Sequence, residues 1–200
     1  FTTADVETVV FDIQDVGSRF YTYIWTMWTA MQAAVATEKR FVVLDRPNPV
    51  GGTARGPMMT AAYTSGVGAR EIVQQHGMSV GELARFFDGE FLEEHADGRL
   101  AQLDIVQVSG WRRRTLYADT GLDFVLPSPN MPTPDTALAY PGTCMFEGTN
   151  LSEGRGTTKP FELIGAPFVD HRWAAALEEA NLPCVTFREA YFNPSVNKFA

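Results

Sequence analysis

Residues 146–161 (FEGTNLSEGRGTTKPF) hold the densest set of chemically useful side chains in this 200-residue sequence. Carboxylates, cations and an amide lie there between three glycines; the side chains are Glu147, Glu153, Arg155, Lys159 and Asn150. Glycine lets backbone N–H groups turn toward a ligand, and opposed charges hold a polar ligand in one orientation. We predict that this segment, called the glycine loop below, lines a site for a polar, sugar-like substrate. The alternative is a connecting loop in which Glu153 and Arg155 only pair with each other.

The glycine loop matches neither of the common phosphate-binding patterns. A P-loop needs Gly-Lys-Ser/Thr, but here Gly154 is followed by Arg155 and Gly156. A dinucleotide fingerprint needs a third glycine that opens a helix, and residues 158–160 (TKP) do not supply it. The loop can still bind an anion through Arg155 and backbone amides. A nucleotide-using transferase is therefore the weakest of the functional hypotheses.

Further polar residues follow predicted strands or precede a predicted helix. They are Asp12, Gln14, Asp15, Arg19 and Tyr21 after the first strand, Asp45, Arg46 and Asn48 after the second, and His76 before a helix. In open α/β sheets, ligands bind outside the carboxyl ends of the strands, so we expect these groups to converge on one crevice. Asn130, in a proline-rich segment, is expected to join them. Carboxylates beside arginine and tyrosine suit either hydrogen bonding to sugar hydroxyls or general acid–base catalysis.

Each of these residues also has a structural interpretation. Asp12 or Asp15 can cap the following turn or pair with a neighbouring arginine, because Asp side chains commonly bond to nearby backbone. His76 suits proton transfer, but a histidine before a helix is more often a buried or capping residue. In the aromatic cluster that follows, we expect Trp25 and Trp28 to pack in the core, while Tyr21 can stack on a sugar ring.

Several classes of protein do not fit the sequence. No His, Asp, Glu or Cys residues have metal-ligand spacing, and no Gly-x-Ser-x-Gly elbow is present. The two cysteines form no disulfide framework. The net charge of -8 argues against nucleic acid as a partner, and we expect the one basic cluster, residues 112–114, to be a solvated loop. No apolar run is long enough to cross a bilayer.

The elements that must position these residues begin with a strand–helix–strand unit. Residues 8–14 and 41–44 read as buried strands, and apolar residues at helical spacing predict a helix over residues 20–38. This length is typical of a right-handed parallel crossover. We therefore predict an α/β fold with a Rossmann-like parallel sheet, followed by the start of a smaller α/β domain.

Later elements follow from shorter signals. Ser79 and Glu82 form a capping box for a helix that should end near Gly89, and residues 170–180 should form another helix. Strands are predicted over residues 72–75, 103–108 and 184–187, with a loop over residues 47–56 and a proline-punctuated segment over residues 126–135. The predicted domains are residues 1–138 and residues 139–200.

Five motifs occur in order along the chain and together resemble one known family. They are DIQDVGSRFYTY (12–23), LDRPNPVGG (44–52), HGMSVGELA (76–84), PSPNMPT (127–133) and FEGTNLSEGRGTTKPFELIGAP (146–167). On these residues the chain resembles the exo-β-N-acetylmuramidase family, long catalogued as a domain of unknown function. The resemblance covers nearly the whole chain, and several long motifs in order are more specific than any one of them.

The resemblance implies a Rossmann-like N-terminal domain, a smaller C-terminal domain and an active site in the cleft between them. It implies release of N-acetylmuramic acid from the non-reducing ends of peptidoglycan fragments, without a nucleotide cofactor, in the cell envelope or outside the cell. Asp15, Glu147 and Glu153 are then the catalytic candidates. Arg155 or Arg46 would meet the lactyl carboxylate, and Asn48, Asn130 and Asn150 the hydroxyl and acetamido groups.

One departure from the family pattern concerns the general acid. Family members carry a preceding segment with a Pro-Glu-His-Gly motif, whose glutamate is a strong catalytic candidate, and this sequence has no such motif. We therefore expect the chain to be an internal fragment that is inactive alone, in which Glu147 and Glu153 assist a missing glutamate. The alternative function is a non-catalytic module that binds peptidoglycan or another sugar.

Overall fold

The computed structural model describes residues 5–200, and the chain divides into two compact units. Unit 1 ends at Pro127, and unit 2 spans Ser128–Ala200. The predicted division at residues 138 and 139 stays a prediction about folding domains. Among the described residues, no helix has the combination of length and apolar character that a bilayer crossing requires.

Unit 1 is built on a parallel sheet. The strands of the described residues are β1 (Thr8–Phe11), β2 (Arg40–Leu44), β3 (Arg55–Met58), β4 (Val73–Gln75) and β5 (Leu103–Val106). β2 lies between β1 and β5 and is parallel to both, with Val9 opposite Phe41 and Phe41 opposite Leu103. The predicted strand–helix–strand unit and the α/β class are confirmed. β1 and β5 are shorter than the strands predicted over residues 8–14 and 103–108.

Three α-helices belong to unit 1, within the part of the chain that is described. They are α1 (Tyr23–Ala36), α2 (Val80–Phe87) and the short α3 (Glu93–His95). α1 begins three residues later than predicted, because Ser18 bridges to Gln75 and the Tyr21 N–H donates to the Ser18 carbonyl in a turn. The sheet, α1 and α2 enclose the core, in which Trp25 and Trp28 are 4% and 3% exposed, as expected.

α2 has the predicted N-terminus and an unpredicted continuation. The Ser79 hydroxyl accepts from the Glu82 N–H, and the Glu82 carboxylate accepts from the Ser79 N–H, so the capping box is confirmed. The α-helix ends at Phe87, close to the predicted end near Gly89, but the chain remains helical after it. It continues through a wide π-helical turn, Asp88–Leu92, into α3, because this turn buries Leu92 completely in the core.

A small antiparallel pair, β3 and β4, adjoins the parallel sheet. β4 confirms most of the predicted strand over residues 72–75. β3 overlaps the end of the predicted 47–56 loop and was not expected, because its sequence, RGPM, contains two residues that disfavour strands. Arg19 explains how the pair is held: its guanidinium donates to the carbonyls of Pro57 and Ile72, at 2.9 and 2.7 Å.

Unit 2 is mostly helical and irregular. α4 (Pro134–Thr143) begins with the cap Thr133 and a proline in its first turn, where proline needs no N–H partner. A 3-10 helix, Cys144–Gly148, leads into the glycine loop. α5 (His171–Glu179) confirms the predicted helix, with Asp170 as its cap. The predicted strand over residues 184–187 is wrong: this stretch has no strand pairing, and the φ of Cys184 is 63°.

Candidate functional site

Asp15 and His76 form a buried pair in unit 1. His76 Nε2 lies 2.9 Å from Asp15 Oδ2, and the side chains are 0% and 5% exposed. The Met78 N–H donates to His76 Nδ1 at 3.2 Å, which places the ring proton on Nε2, so His76 donates to Asp15. The Gly17 N–H also donates to Asp15 Oδ2, at 2.7 Å. The pair fixes the orientation of the Asp15 carboxylate.

The other oxygen of this carboxylate is unoccupied. Asp15 Oδ1 is buried and has no hydrogen-bond partner among the described residues, and the same holds for the nearby Ser18 hydroxyl. Buried polar atoms without a partner are rare in proteins and call for an explanation such as a bound water or a catalytic role. The turn after β1 therefore holds an oriented, buried carboxylate, one oxygen of which accepts no hydrogen bond from the described residues.

Asp45 and Asn48, which the sequence analysis placed in the substrate site, are engaged by the chain itself. Asp45 Oδ1 accepts from the Gly81 N–H at 2.7 Å, and Asp45 Oδ2 accepts from the Ser79 hydroxyl at 3.1 Å. Asn48 donates to the Met78 carbonyl at 2.9 Å and accepts from the Val50 N–H at 3.1 Å. These contacts join the end of β2 to the start of α2, which is a structural task.

The remaining candidates in unit 1 lie around the same strand ends. Arg46 pairs with Asp12, and both side chains are partly exposed. Gln14 donates to the carbonyls of Asp15 and Pro47. Tyr21 is buried and meets the ring of Tyr23 edge-on, with the ring centres 5.2 Å apart. Arg46 and Asp12 are therefore the most accessible of these groups.

The basic cluster at residues 112–114 is not simply a solvated loop. Arg113 binds both carboxylate oxygens of Glu82, at 2.8 and 2.5 Å, and donates to the Gly77 carbonyl at 2.7 Å. Its guanidinium also lies over the Trp111 ring, 5.3 Å from the ring centre, which is within reach of a cation–π interaction. Arg113 thus connects this loop to the capping box of α2, while its side chain stays 57% exposed and residues 112–114 are all exposed, as expected of a solvated loop.

In unit 2, the glycine loop is a tightly folded segment. Ser152 and Gly165 exchange backbone hydrogen bonds of 2.7 and 3.1 Å, and the Phe161 N–H donates to the Glu153 carbonyl. Gly154 has a φ of +80°, and a Cβ there would lie 2.6 Å from the Leu163 carbonyl oxygen. Only glycine fits at this position, which explains one of the glycines that mark the loop.

Arg155 joins the two carboxylates of the loop. Its Nε donates to Glu147 Oε1 at 2.8 Å and lies 3.4 Å from Glu153 Oε1. Its guanidinium also lies over the Phe161 ring, 5.0 Å from the ring centre. The arginine is 29% exposed, so one edge of it can still meet a ligand. The pairing of Glu153 with Arg155, the structural alternative in the sequence, is present, but at a distance too long for a strong bond.

Glu153 is the second buried carboxylate with an oxygen that accepts no hydrogen bond from the described residues. Its side chain is 4% exposed, and Oε2 has no hydrogen bond from the described residues. The nearest cation to that oxygen is the ammonium of Lys198, at 3.4 Å. Lys198 was not identified from the sequence, because it lies 45 residues further along the chain and in no recognised motif.

Three other candidates in unit 2 are more open. Lys159 is exposed and pairs with Glu162 at 2.7 Å, and this hydrogen bond raises the pKa of the lysine. Asn130 lies half-buried in the turn before α4. Asn150 lines an open cavity of about 410 Å³ together with Trp173, whose ring meets that of Phe146 edge-on.

Cys144 and Tyr140 lie beside Glu147 in unit 2. Burial raises the pKa of the Cys144 thiol to about 12, and burial is also the main cause of the raised pKa of the Tyr140 hydroxyl. Neither group is therefore suited to act as a nucleophile or base near neutral pH. Within residues 5–200, no three His, Cys, Asp or Glu side chains converge in the way that a metal site needs.

Family models match nearly the whole chain. The model described as "Exo-beta-N-acetylmuramidase NamZ, N-terminal" matches residues 2–135, and the one described as "Exo-beta-N-acetylmuramidase NamZ, C-terminal" matches residues 138–200. A curated relative from Bacillus subtilis (strain 168), "Peptidoglycan beta-N-acetylmuramidase NamZ", is 51% identical over 196 residues. That match covers 97% of this chain and 46% of the relative, so the chain spans about half the length of this relative.

Two solved structures have the same fold. Both are DUF1343 family proteins from Bacteroides fragilis NCTC 9343. The first is 36% identical with a TM-score of 0.90, and the match covers 98% of this chain and 50% of that chain. The second is 39% identical with a TM-score of 0.73, and the match covers 80% of this chain and 44% of that chain.

Proposed function

Because this chain belongs to the exo-β-N-acetylmuramidase (NamZ) family, we propose that the protein it forms is a glycosidase that releases N-acetylmuramic acid from the non-reducing ends of peptidoglycan fragments. The observation on which this proposal rests is the 51% identity to a peptidoglycan β-N-acetylmuramidase over 97% of the chain. Asp15 in unit 1 and Glu153 in unit 2 each support it separately, because each is a buried carboxylate with one oxygen that accepts no hydrogen bond from the described residues, and carboxyl groups are the groups that glycoside hydrolysis commonly uses.

We assign acid–base work to Asp15 and a positioning role to His76. The imidazole is fully buried with both nitrogens engaged, so it reaches a ligand only through the carboxylate that it orients. Asp15 Oδ1 is the atom available to exchange a proton with the sugar or with water. Holding one oxygen in two hydrogen bonds leaves the other in a fixed direction, which is what general acid–base catalysis requires of a side chain.

In the glycine loop we assign the chemistry to Glu153 and substrate binding to Arg155. Glu147 is occupied by Arg155, so it acts as the group that orients the guanidinium. The lactyl carboxylate of muramic acid is the part of the substrate that an arginine recognises well, because the planar guanidinium matches a carboxylate. Asn150 and Asn130 are free to meet hydroxyl or acetamido groups, and Lys159 adds positive charge nearby in the chain.

The other predicted substrate residues receive narrower roles. Arg46 with Asp12 remains an accessible pair that can meet a polar ligand. Asp45 and Asn48 hold β2 against α2, and Arg19 holds β3 beside β4. Gln14 and Tyr21 pack or bond within unit 1 near Asp15. We propose that these last residues shape the site without contacting the sugar.

The direct test is hydrolysis of a disaccharide with N-acetylmuramic acid at its non-reducing end by the native-length protein. We expect free N-acetylmuramic acid as the product, identified by chromatography and mass spectrometry. Saturable binding of the disaccharide without any product would instead support the sugar-binding module. The role of Arg155 is tested by Arg155→Ala, which should raise KM for this substrate; unchanged KM and kcat would contradict the assignment.

A further inference from the structure

The ammonium group of Lys198 lies inside a cage of oxygens in unit 2. Four backbone carbonyl oxygens lie within hydrogen-bond distance of Nζ: those of Phe146 at 3.1 Å and of Glu147, Thr149 and Leu151 at 2.9 Å each. Glu153 Oε2 is a fifth oxygen, at 3.4 Å. We call these five oxygens the oxygen cage.

The oxygen cage differs from an ordinary lysine contact. An ammonium has three N–H donors, so it cannot give each of five oxygens its own bond and must share them. The first two carbonyls belong to the 3-10 helix Cys144–Gly148, at its C-terminal end, where the helix dipole is negative. Several carbonyls that point at one spot repel each other unless a cation lies between them, which is how proteins hold a bound cation.

Lys198 connects parts of the chain that are distant in sequence. It lies 47–52 residues beyond the four carbonyls that it binds, and its side chain is 31% exposed. The nearby contact of Ser195 with Gly156 attaches the segment around Lys198 to the glycine loop. The lysine therefore restrains both the start of the glycine loop and the carboxylate of Glu153.

We propose that Lys198 is a positioning residue, whose ammonium group holds the glycine loop and the carboxylate of Glu153 in place. We also propose that the oxygen cage binds a free primary ammonium ion once this side chain is removed. The part of the proposal that concerns catalysis rests on the proposed function. The part that concerns the oxygen cage does not, because it can be measured through stability alone.

The test uses Lys198→Ala in the native-length protein. Alanine removes three methylene carbons beyond Cβ together with the ammonium, and n-propylammonium has the matching length. We expect the melting temperature to fall by about 5 °C, because four carbonyls lose a charged donor. Added n-propylammonium should restore most of that loss, and methylammonium less of it. Tetramethylammonium, which has no N–H donor, should restore none at the same ionic strength.

Two further variants separate the oxygen cage from general effects. Lys198→Met keeps an apolar stem of similar length up to Cε and removes only the ammonium. It should therefore lower the melting temperature and resist rescue, because its own stem fills the space that n-propylammonium would occupy. Lys159→Ala removes an exposed lysine of the same unit and should show no response to alkylammonium ions. If Lys198→Ala does not fold without an added ammonium ion, the yield of folded protein after refolding, with and without n-propylammonium, is measured in place of the melting temperature.

Kinetics test the positioning role. With a muramyl disaccharide, Lys198→Ala should lower kcat by about 100-fold, as small displacements of catalytic groups do, with a smaller change in KM and recovery with n-propylammonium. A Lys198→Met variant as stable as the parent, or equal rescue by tetramethylammonium, would overturn the oxygen cage. Kinetic constants that stay unchanged in a stable Lys198→Ala variant would overturn the positioning role. A parent protein that cleaves no disaccharide would contradict only the proposed function, because the oxygen cage is tested independently by the melting temperatures.

Discussion

Replacing Asp15 by asparagine tests whether its unoccupied oxygen does chemistry. Asparagine has the same shape, so its Oδ1 can take the place of the oxygen that accepts from the Gly17 N–H and from His76. The amide group then occupies the position of the free oxygen. The substitution therefore preserves the fold while it removes the group that we propose exchanges a proton.

The cost in stability follows from the two hydrogen bonds. Bonds to a charged acceptor contribute about 1.5–3 kcal/mol and bonds between neutral groups about 0.5–1.5 kcal/mol, so each bond weakens by about 1 kcal/mol. Relief of the cost of burying a charge offsets part of this loss. We expect the free energy of unfolding to fall by about 1–2 kcal/mol, measured by urea denaturation. Loss of an acid–base group should lower kcat by about 10²- to 10⁴-fold.

Asp45→Asn is the matched control, because Asp45 is also a carboxylate that follows a strand of the parallel sheet. Both of its oxygens already accept hydrogen bonds from the chain, so its replacement should reduce stability and leave turnover per folded molecule nearly unchanged. The decisive comparison is kcat for the two variants at a temperature where both are folded. If Asp15→Asn kept the parent kcat, or if both variants lost activity equally, Asp15 would be a structural residue.

Three other predictions concern stability and reactivity. Gly81→Ala should destabilise unit 1 by about 1–3 kcal/mol in urea denaturation, because the added Cβ would lie 2.5 Å from a β5 side chain, whereas Gly89→Ala meets nothing within 4 Å and should not destabilise. Equal effects would contradict the packing of α2 on the sheet. Ser79→Ala should lower the free energy of unfolding by about 1–2 kcal/mol through loss of the helix cap. Ser79→Thr keeps a hydroxyl at the cap and should retain most of that stability; an equal loss in both variants would rule out the cap as the cause. With a thiol reagent near neutral pH, the exposed Cys184 should react quickly, while Cys144, buried and with its pKa raised to about 12, should react only on unfolding; rapid double labelling of the folded protein would refute this.

Local signals predicted the framework of unit 1 well. The capping box at Ser79 and Glu82 involves residues three apart, and the strand–helix–strand unit follows from apolar patterns within about 40 residues. The strand predicted over residues 184–187 failed because a short apolar run does not reveal whether a partner strand exists. The capping box and the strand–helix–strand unit depend on local sequence, whereas a strand depends on pairing with a distant part of the chain.

The candidate site shows the same limit. The sequence identified Asp15 and His76 as polar residues near strand ends, but their contact spans 61 residues and requires Ser18 to bridge to Gln75 of β4. Lys198 gave no signal at all, because a single lysine becomes distinctive only when the chain folds four carbonyls around it. The residue types of a site can be predicted from sequence, whereas the pairs that orient them depend on long-range contacts.

The most direct test of the proposed function compares two disaccharides that contain the same two sugars in opposite order. The native-length protein should release free N-acetylmuramic acid from the one with muramic acid at its non-reducing end. It should leave intact the one with N-acetylglucosamine at that end. Mass spectrometry of the products distinguishes the outcomes. Cleavage of both at similar rates would contradict an exo-acting muramidase, and cleavage of neither would contradict a glycosidase of this class.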